Sequence, residues 1–164
     1  MSALKPGTKA PAVELPLLGG GSFSLSNSLS KGAVALAFFK VSCPVCQYAF
    51  PYFDRISGLL NGKGLTFIGV SQDSGSDTME FAKQFGVHFP IALDDISRYP
   101  VSNAYGLTNV PTLFIVQEDG TISHSIISWS KKEMQELYDG FRDSQNASVK
   151  LFPAGENVAD FKAG

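Results

Sequence analysis

Cys43 and Cys46 are the only cysteines among 164 residues, and they lie three positions apart. Two thiols at that spacing on the first turn of a helix share a face and can close a short disulfide. So short a loop constrains the unfolded chain little, which makes the pair a poor structural staple. A thiol at a helix N-terminus also meets the positive end of the helix dipole and N–H groups that lack intrahelical partners, and both favour thiolate. The stretch Phe38-Phe39-Lys40-Val41-Ser42-Cys43-Pro44-Val45-Cys46 suits such a site. An apolar run ends just before the pair, and Pro44 fits the first helical position, where its missing N–H costs nothing. The chemistry indicated is thiol–disulfide exchange, with Cys43 attacking and Cys46 resolving the mixed disulfide.

The elements that must position this pair can be read around it. Ala33–Phe39 carries no charge, as expected of a strand buried on both faces. Downstream, Val45, Ala49, Tyr52, Phe53, Ile56, Leu59 and Leu60 recur at helical spacing, and Asn61-Gly-Lys-Gly64 ends that helix. Pro51 lies inside it and predicts a kink. Leu65–Val70 reads as a second buried strand. Asp77 with Glu80 reads as a capping box for a helix ending near Gly86, and Phe89–Leu93 as a short strand. A brief helix follows near Pro100–Tyr105. Thr112–Val116 and Thr121–Ser128 form a hairpin through Gln117–Gly120, and Ser130 with Glu133 opens a last helix burying Met134, Leu137, Tyr138 and Phe141. Ahead of all this, Ala12–Leu18 and Ser22–Leu25 flank three glycines as a hairpin, and Ser26–Gly32 reads as a polar connection.

The order predicts an α/β domain with a central mixed sheet and helices on both faces, over residues 1–144. Residues 145–164 read as a C-terminal extension, laid on the surface or disordered. Composition is that of a globular protein, with 44% hydrophobic and 17% charged residues. A net charge of −2 gives no basis for nucleic-acid or anionic-membrane binding. No apolar run approaches the 18 or so residues that span a bilayer, and residues 1–10 lack a signal core. The expected compartment is therefore the cytoplasm, or the periplasm if a leader was removed. In a reducing cytoplasm a cysteine pair is more often catalytic or metal-binding than structural.

This order of elements, with Cys-x-x-Cys at a strand-to-helix junction, resembles the thioredoxin-like fold, a three-layer α/β/α sandwich. More narrowly it resembles the TlpA-type, redoxin-domain (AhpC/TSA-related) branch of thiol–disulfide oxidoreductases. Besides Phe38–Cys46, the resemblance rests on the N-terminal hairpin from Thr8 to Leu25 and on Phe50-Pro51. It also rests on an inserted helix and strand ending in Phe85-Gly-Val-His-Phe-Pro-Ile-Ala-Leu-Asp94, and on Gly106-Leu-Thr-Asn-Val-Pro-Thr-Leu-Phe-Ile-Val116. It implies that Pro111 is a cis-proline facing the cysteines and that the Val110 backbone bonds an extended substrate strand. Pro44 would tune the redox poise. Lys40 and Ser42, beside the motif, are candidates for stabilising a thiolate. The implied partners are a protein thiol or disulfide and an upstream thiol reductant or oxidant, with no cofactor and no metal, the chain acting as a monomer.

The sequence departs from its relatives in one respect. Thioredoxins carry a buried Asp six residues before the first cysteine, where this chain has Ala37. Cytochrome-maturation reductases of the branch carry a Glu three residues after the second, where it has Ala49. The proton acceptor for Cys46 is thus unassigned. A thiol peroxidase is the alternative function, but the Thr and Arg that activate peroxide are missing: Lys40 stands at the Thr position counted from Cys43, and Val110 at the Arg position. A metallochaperone is the third class. The histidines His88 and His124 fall on different elements, and the cysteine spacing is one residue short of the Cys-x-x-x-Cys of thioredoxin-fold copper chaperones. Trp129, the sole tryptophan, reads as a packing or surface residue before the last helix.

Overall fold

The computed structural model describes residues 2–143 and 148–164. At its centre is strand β3 (Ala33–Phe39), every residue of which is buried. A strand's side chains alternate between faces, and those of β3 divide accordingly. Ala33, Ala35, Ala37 and Phe39 join one core, while Val34, Leu36 and Phe38 join the other. Parallel to β3 lies β4 (Leu65–Ser71), followed by β5 (Ile91–Leu93). Antiparallel on its other side is β6 (Thr112–Val116), then β7 (Ile122–Ile127). The mixed sheet therefore has the order β5-β4-β3-β6-β7. Short strands β1 (Glu14–Pro16) and β2 (Ser22–Ser24) pair as the N-terminal hairpin.

On the alanine-lined face packs α2 (Pro44–Leu59), through Cys46, Ala49, Phe50, Phe53 and Ile56. Small residues on the strand leave room for these rings, and Phe39 and Phe50 meet with centroids 4.3 Å apart. Phe50, absent from the expected helical stripe, is fully buried, whereas Tyr52 is only half-buried. The helix runs through Pro51. Also on this face are α3 (Gly75–Phe85), through Phe81, and α5 (Lys131–Phe141), through Met134, Leu137 and Tyr138. The opposite face is covered by the hairpin and by α4 (Pro100–Ala104) with Tyr105 behind it.

Two expectations are corrected at helix starts. Within the supposed polar connection lies a short helix, α1 (Leu25–Leu29), capped by Ser24 and anchored by buried Leu25. Helix α3 begins earlier than the Asp77–Glu80 box implied. Its cap is Ser74, whose hydroxyl accepts the Asp77 N–H at 3.2 Å, leaving Asp77 in the first turn, where its charge suits the helix dipole. The box at Ser130 is as expected, its hydroxyl accepting the Glu133 N–H at 3.2 Å. Asp94, almost fully buried, caps α4 from outside by accepting the N–H groups of Val101 (3.3 Å) and Ser102 (2.8 Å) and the Ser102 hydroxyl.

The expected boundary at residue 144 lies outside the described residues. Beyond it, Leu151 and Val158 are buried in the same core as α2 and α5. Trp129 is fully buried and donates its indole N–H to the Ala159 carbonyl at 2.7 Å. Strands β8 (Trp129–Ser130) and β9 (Phe161–Lys162) then pair antiparallel. Arg55 of α2 grips Glu156 through two bonds of 2.7 Å and donates to the Leu151 carbonyl at 3.0 Å.

Truncating Leu151 to alanine should cost about 2–4 kcal/mol of unfolding free energy in urea, the range for a buried leucine. The Arg55 guanidinium holds the Glu156 carboxyl below its ordinary pKa. A depressed carboxyl stabilises the fold above its unfolded pKa, and that contribution is lost as pH falls through the folded one. The melting-temperature gap between wild type and Glu156→Gln should therefore be full at neutral pH and close in acid.

Candidate functional site

Strand β3 delivers the chain to the N-terminus of α2 through the loop Lys40–Ser42. Cys43 is the N-cap residue: its backbone is extended, and its Sγ accepts the Cys46 N–H at 3.2 Å. An N-cap atom satisfies a helix donor that would otherwise lack a partner, and here that atom is the sulfur itself. Cys43 is half-buried, Cys46 fully buried, and both are free thiols. An accessible first thiol over a sequestered second one is the layout that attack and resolution require.

Burial pushes the Cys46 thiol well above the ordinary range. Its hydrogen bond with Cys43 adds to this, the Lys40 backbone N–H opposes it, and the charges of Cys43 and Asp73 push it further up. Asp73 is the residue that sequence reasoning missed. It lies in the loop between β4 and α3, and its Oδ2 accepts the Val41 N–H at 2.8 Å. From the other side, the Gln47 side-chain amide donates to the Val41 carbonyl at 2.9 Å. The peptide groups before the pair are thus clamped by two elements. Val41 offers its N–H to Asp73, and the preceding N–H, of Lys40, faces Cys46. Only the run Gln72-Asp73-Ser74 after an apolar strand hinted at this, since strand ends on one edge of a parallel sheet gather their loops together.

The loop from Asn109 to Pro111 completes the site. The Val110–Pro111 peptide is cis, and the Cys43 thiol donates to the Val110 carbonyl at 3.4 Å. Among the described residues nothing accepts the Val110 N–H. Pro44 occupies the first turn of α2 and is exposed. The structure does not bring Lys40 or Ser42 side chains to the sulfurs by any hydrogen bond. Lys40 Nζ lies 5.5 Å from the centre of the Tyr99 ring, and Ser42 is exposed. Ala37 and Ala49 are both fully buried in the core that contains Cys46. The histidines lie elsewhere, His88 pairing with Asp54 at 2.9 Å and His124 with the Ser123 hydroxyl at 2.7 Å. Among the described residues no group of three or more His, Cys, Asp or Glu side chains is arranged to hold a metal.

A sequence profile of the AhpC/TSA family matches residues 6–125. The chain belongs to the AhpC/TSA family. It is 30% identical, over 133 residues, to the thiol-disulfide oxidoreductase ResA of Geobacillus thermodenitrificans, covering 80% of this chain and 75% of that protein. In structure it resembles a Chlorobium tepidum protein described as a thiol:disulfide interchange protein, DsbE (TM-score 0.74, 25% identity, 84% of this chain and 95% of that one). It also shares its fold with the peroxidoxin BcpB of Mycobacterium tuberculosis (TM-score 0.72, 21% identity, 85% and 99%). This AhpC/TSA chain is a thiol–disulfide oxidoreductase of thioredoxin-like fold. No helix among the described residues is long and apolar enough to cross a membrane.

In Asp73→Asn the amide oxygen can still accept the Val41 N–H, but the charge that opposes Cys46 ionisation is gone. In a Cys43→Ser background, Cys46 of that variant should react with iodoacetamide at lower pH than with Asp73 present. An unchanged pH profile would remove Asp73 from the site.

Proposed function

We propose that Cys43 is the nucleophile and Cys46 the resolving thiol in the reduction of protein disulfides. The observation that carries this is the Cys43 sulfur, which caps α2 while facing the cis-proline loop. The Cys43 thiolate attacks one sulfur of the substrate disulfide. A mixed disulfide forms, and the other substrate sulfur leaves as thiolate and takes up a proton. Cys46 then loses its proton and attacks the Cys43 sulfur, releasing the second substrate thiolate and closing the Cys43–Cys46 disulfide. Two electrons pass to the substrate, and an upstream dithiol protein restores the pair.

Beside Pro111, an extended substrate segment bonds to the main chain of Val110, whose N–H is open among the described residues. Pro44, exposed between the two cysteines, flanks the incoming sulfur. With alanine at positions 37 and 49, Asp73, whose Oδ2 holds the Val41 N–H ahead of the pair and whose charge opposes Cys46 ionisation, is our candidate for accepting the Cys46 proton. We propose that the enzyme acts as a monomer in the cytoplasm, with the periplasm as the alternative compartment. The reduction potential tests that placement: a value near about −270 mV fits a reducing cytoplasm, and one near about −120 mV an oxidising compartment.

Insulin-reductase activity should fall by several orders of magnitude in Cys43→Ser, as for loss of an essential nucleophile. Cys46→Ser should instead accumulate a mixed disulfide with substrate, visible as a mass adduct that dithiothreitol removes. An active Cys43→Ser enzyme would contradict the assignment.

A further inference from the structure

The chain's last residues return to the redox site and lie against the edge where substrate is read. Gly164 donates its N–H to the Ser128 hydroxyl at 2.9 Å, and Asn109, next to Val110, donates its side-chain amide to the Gly164 oxygen at 3.0 Å. Ser128 is itself tied to the cis-proline loop, donating its N–H to the Pro111 carbonyl at 2.8 Å. The approach is close. A Cβ added to Gly164 would overlap the Val110 carbonyl, the same oxygen that receives the Cys43 thiol. An extended chain cannot lie along Val110 on that side while residue 164 is in place.

The anchorage of this segment is graded. Up to Asp160 it is held firmly: Arg55 grips Glu156, Trp129 and Tyr48 bond the Ala159 carbonyl and N–H, and Lys131 donates its N–H to the Asp160 carbonyl at 3.0 Å. Beyond Asp160 the ties are a two-residue strand pair, the two bonds of Gly164, and Lys162 Nζ placed 4.8 Å from the centre of the Tyr48 ring. Phe161, Ala163 and Gly164 are exposed, Phe161 to 61%. A few hydrogen bonds of small net worth stand against the entropy of ordering four residues, so docked and undocked states lie close in free energy.

We propose that residues 161–164 form a displaceable strap over the Val110 edge, selecting against disulfides presented on bulky folded proteins while admitting small ones. The proposal rests on the reading that protein substrates bond to the Val110 main chain. A strap docked about nine-tenths of the time lowers apparent affinity for such substrates about tenfold. A disulfide that reaches Cys43 without using the edge loses nothing.

The test compares wild type with a chain ending at Asp160, which keeps the firm anchors, and with Gly164→Val, which keeps the whole segment but cannot fit against Val110. The readout is the ratio of kcat/KM for insulin to that for bis(2-hydroxyethyl) disulfide, with dithiothreitol as reductant. Both variants should raise that ratio about tenfold, with turnover of the small disulfide changed less than about twofold. A ratio that is unchanged or lower in both variants overturns the strap. Cys43→Ser separates the two readings. If turnover of the small disulfide survives in it, the nucleophile assignment fails whatever the strap does.

Discussion

The site depends on one junction, where a strand buried on both faces gives way to a helix in whose first turn the free Cys46 N–H is satisfied by a cysteine sulfur. Because β3 has hydrogen-bonded neighbours on both edges and cores on both faces, its C-terminal end has almost no freedom. Lys40 to Ser42 inherit that rigidity, and the Asp73 and Gln47 bonds to the Val41 peptide reinforce it. A nucleophile that must meet a disulfide sulfur in line gains from being fixed this way, since positioning paid for on folding need not be repeated at each encounter.

The same junction governs the electrostatics. Cys46 lies within the core shared by Ala37, Ala49 and Phe50, where ionisation is opposed by the loss of water. Cys43, one helical turn earlier, keeps solvent contact and the helix N–H. Two identical side chains are thus separated in reactivity by depth and by the helix N–H that one of them accepts. The apolar core that separates them leaves no carboxylate at Ala37 or Ala49. The carboxylate influence arrives from a loop at the edge of the next strand.

Legibility followed the range of the interactions. The redox pair, the buried strands, the Ser130 cap and the cis-proline were open to reading because each is written in a few adjacent residues or in a motif shared with relatives. The misreading at α3 was a choice between two local caps. Asp77 and Glu80 formed the more familiar pattern, but Ser74 stood where β4 released the chain. Helix α1 was missed because its five residues, Leu-Ser-Asn-Ser-Leu, carry little helical signal. It exists because Leu25 is drawn into the core beside the hairpin. Phe50 escaped the expected stripe although its ring contacts Phe39, Phe53, Phe81 and Phe89. A wide apolar face was needed to cover a sheet lined with alanine.

By itself the sequence determined the chemistry and the frame. Two cysteines at helical spacing, the alternation of strands and helices, and a proline after Val110 are local features, and local features survive the absence of coordinates. Only the tertiary structure decided which carboxylate is held beside the pair, on the Val41 N–H, and where residues 148–164 go. Asp73 and Cys46 are 27 positions apart, and Gly164 is 54 beyond Val110. Neither spacing has a period, so nothing in one dimension marks those residues as neighbours. Asp73 reaches the Val41 peptide because the sheet gathers its loops at one edge, and Gly164 reaches Val110 because Trp129, Tyr48 and Arg55 together draw residues 151–164 back across α2.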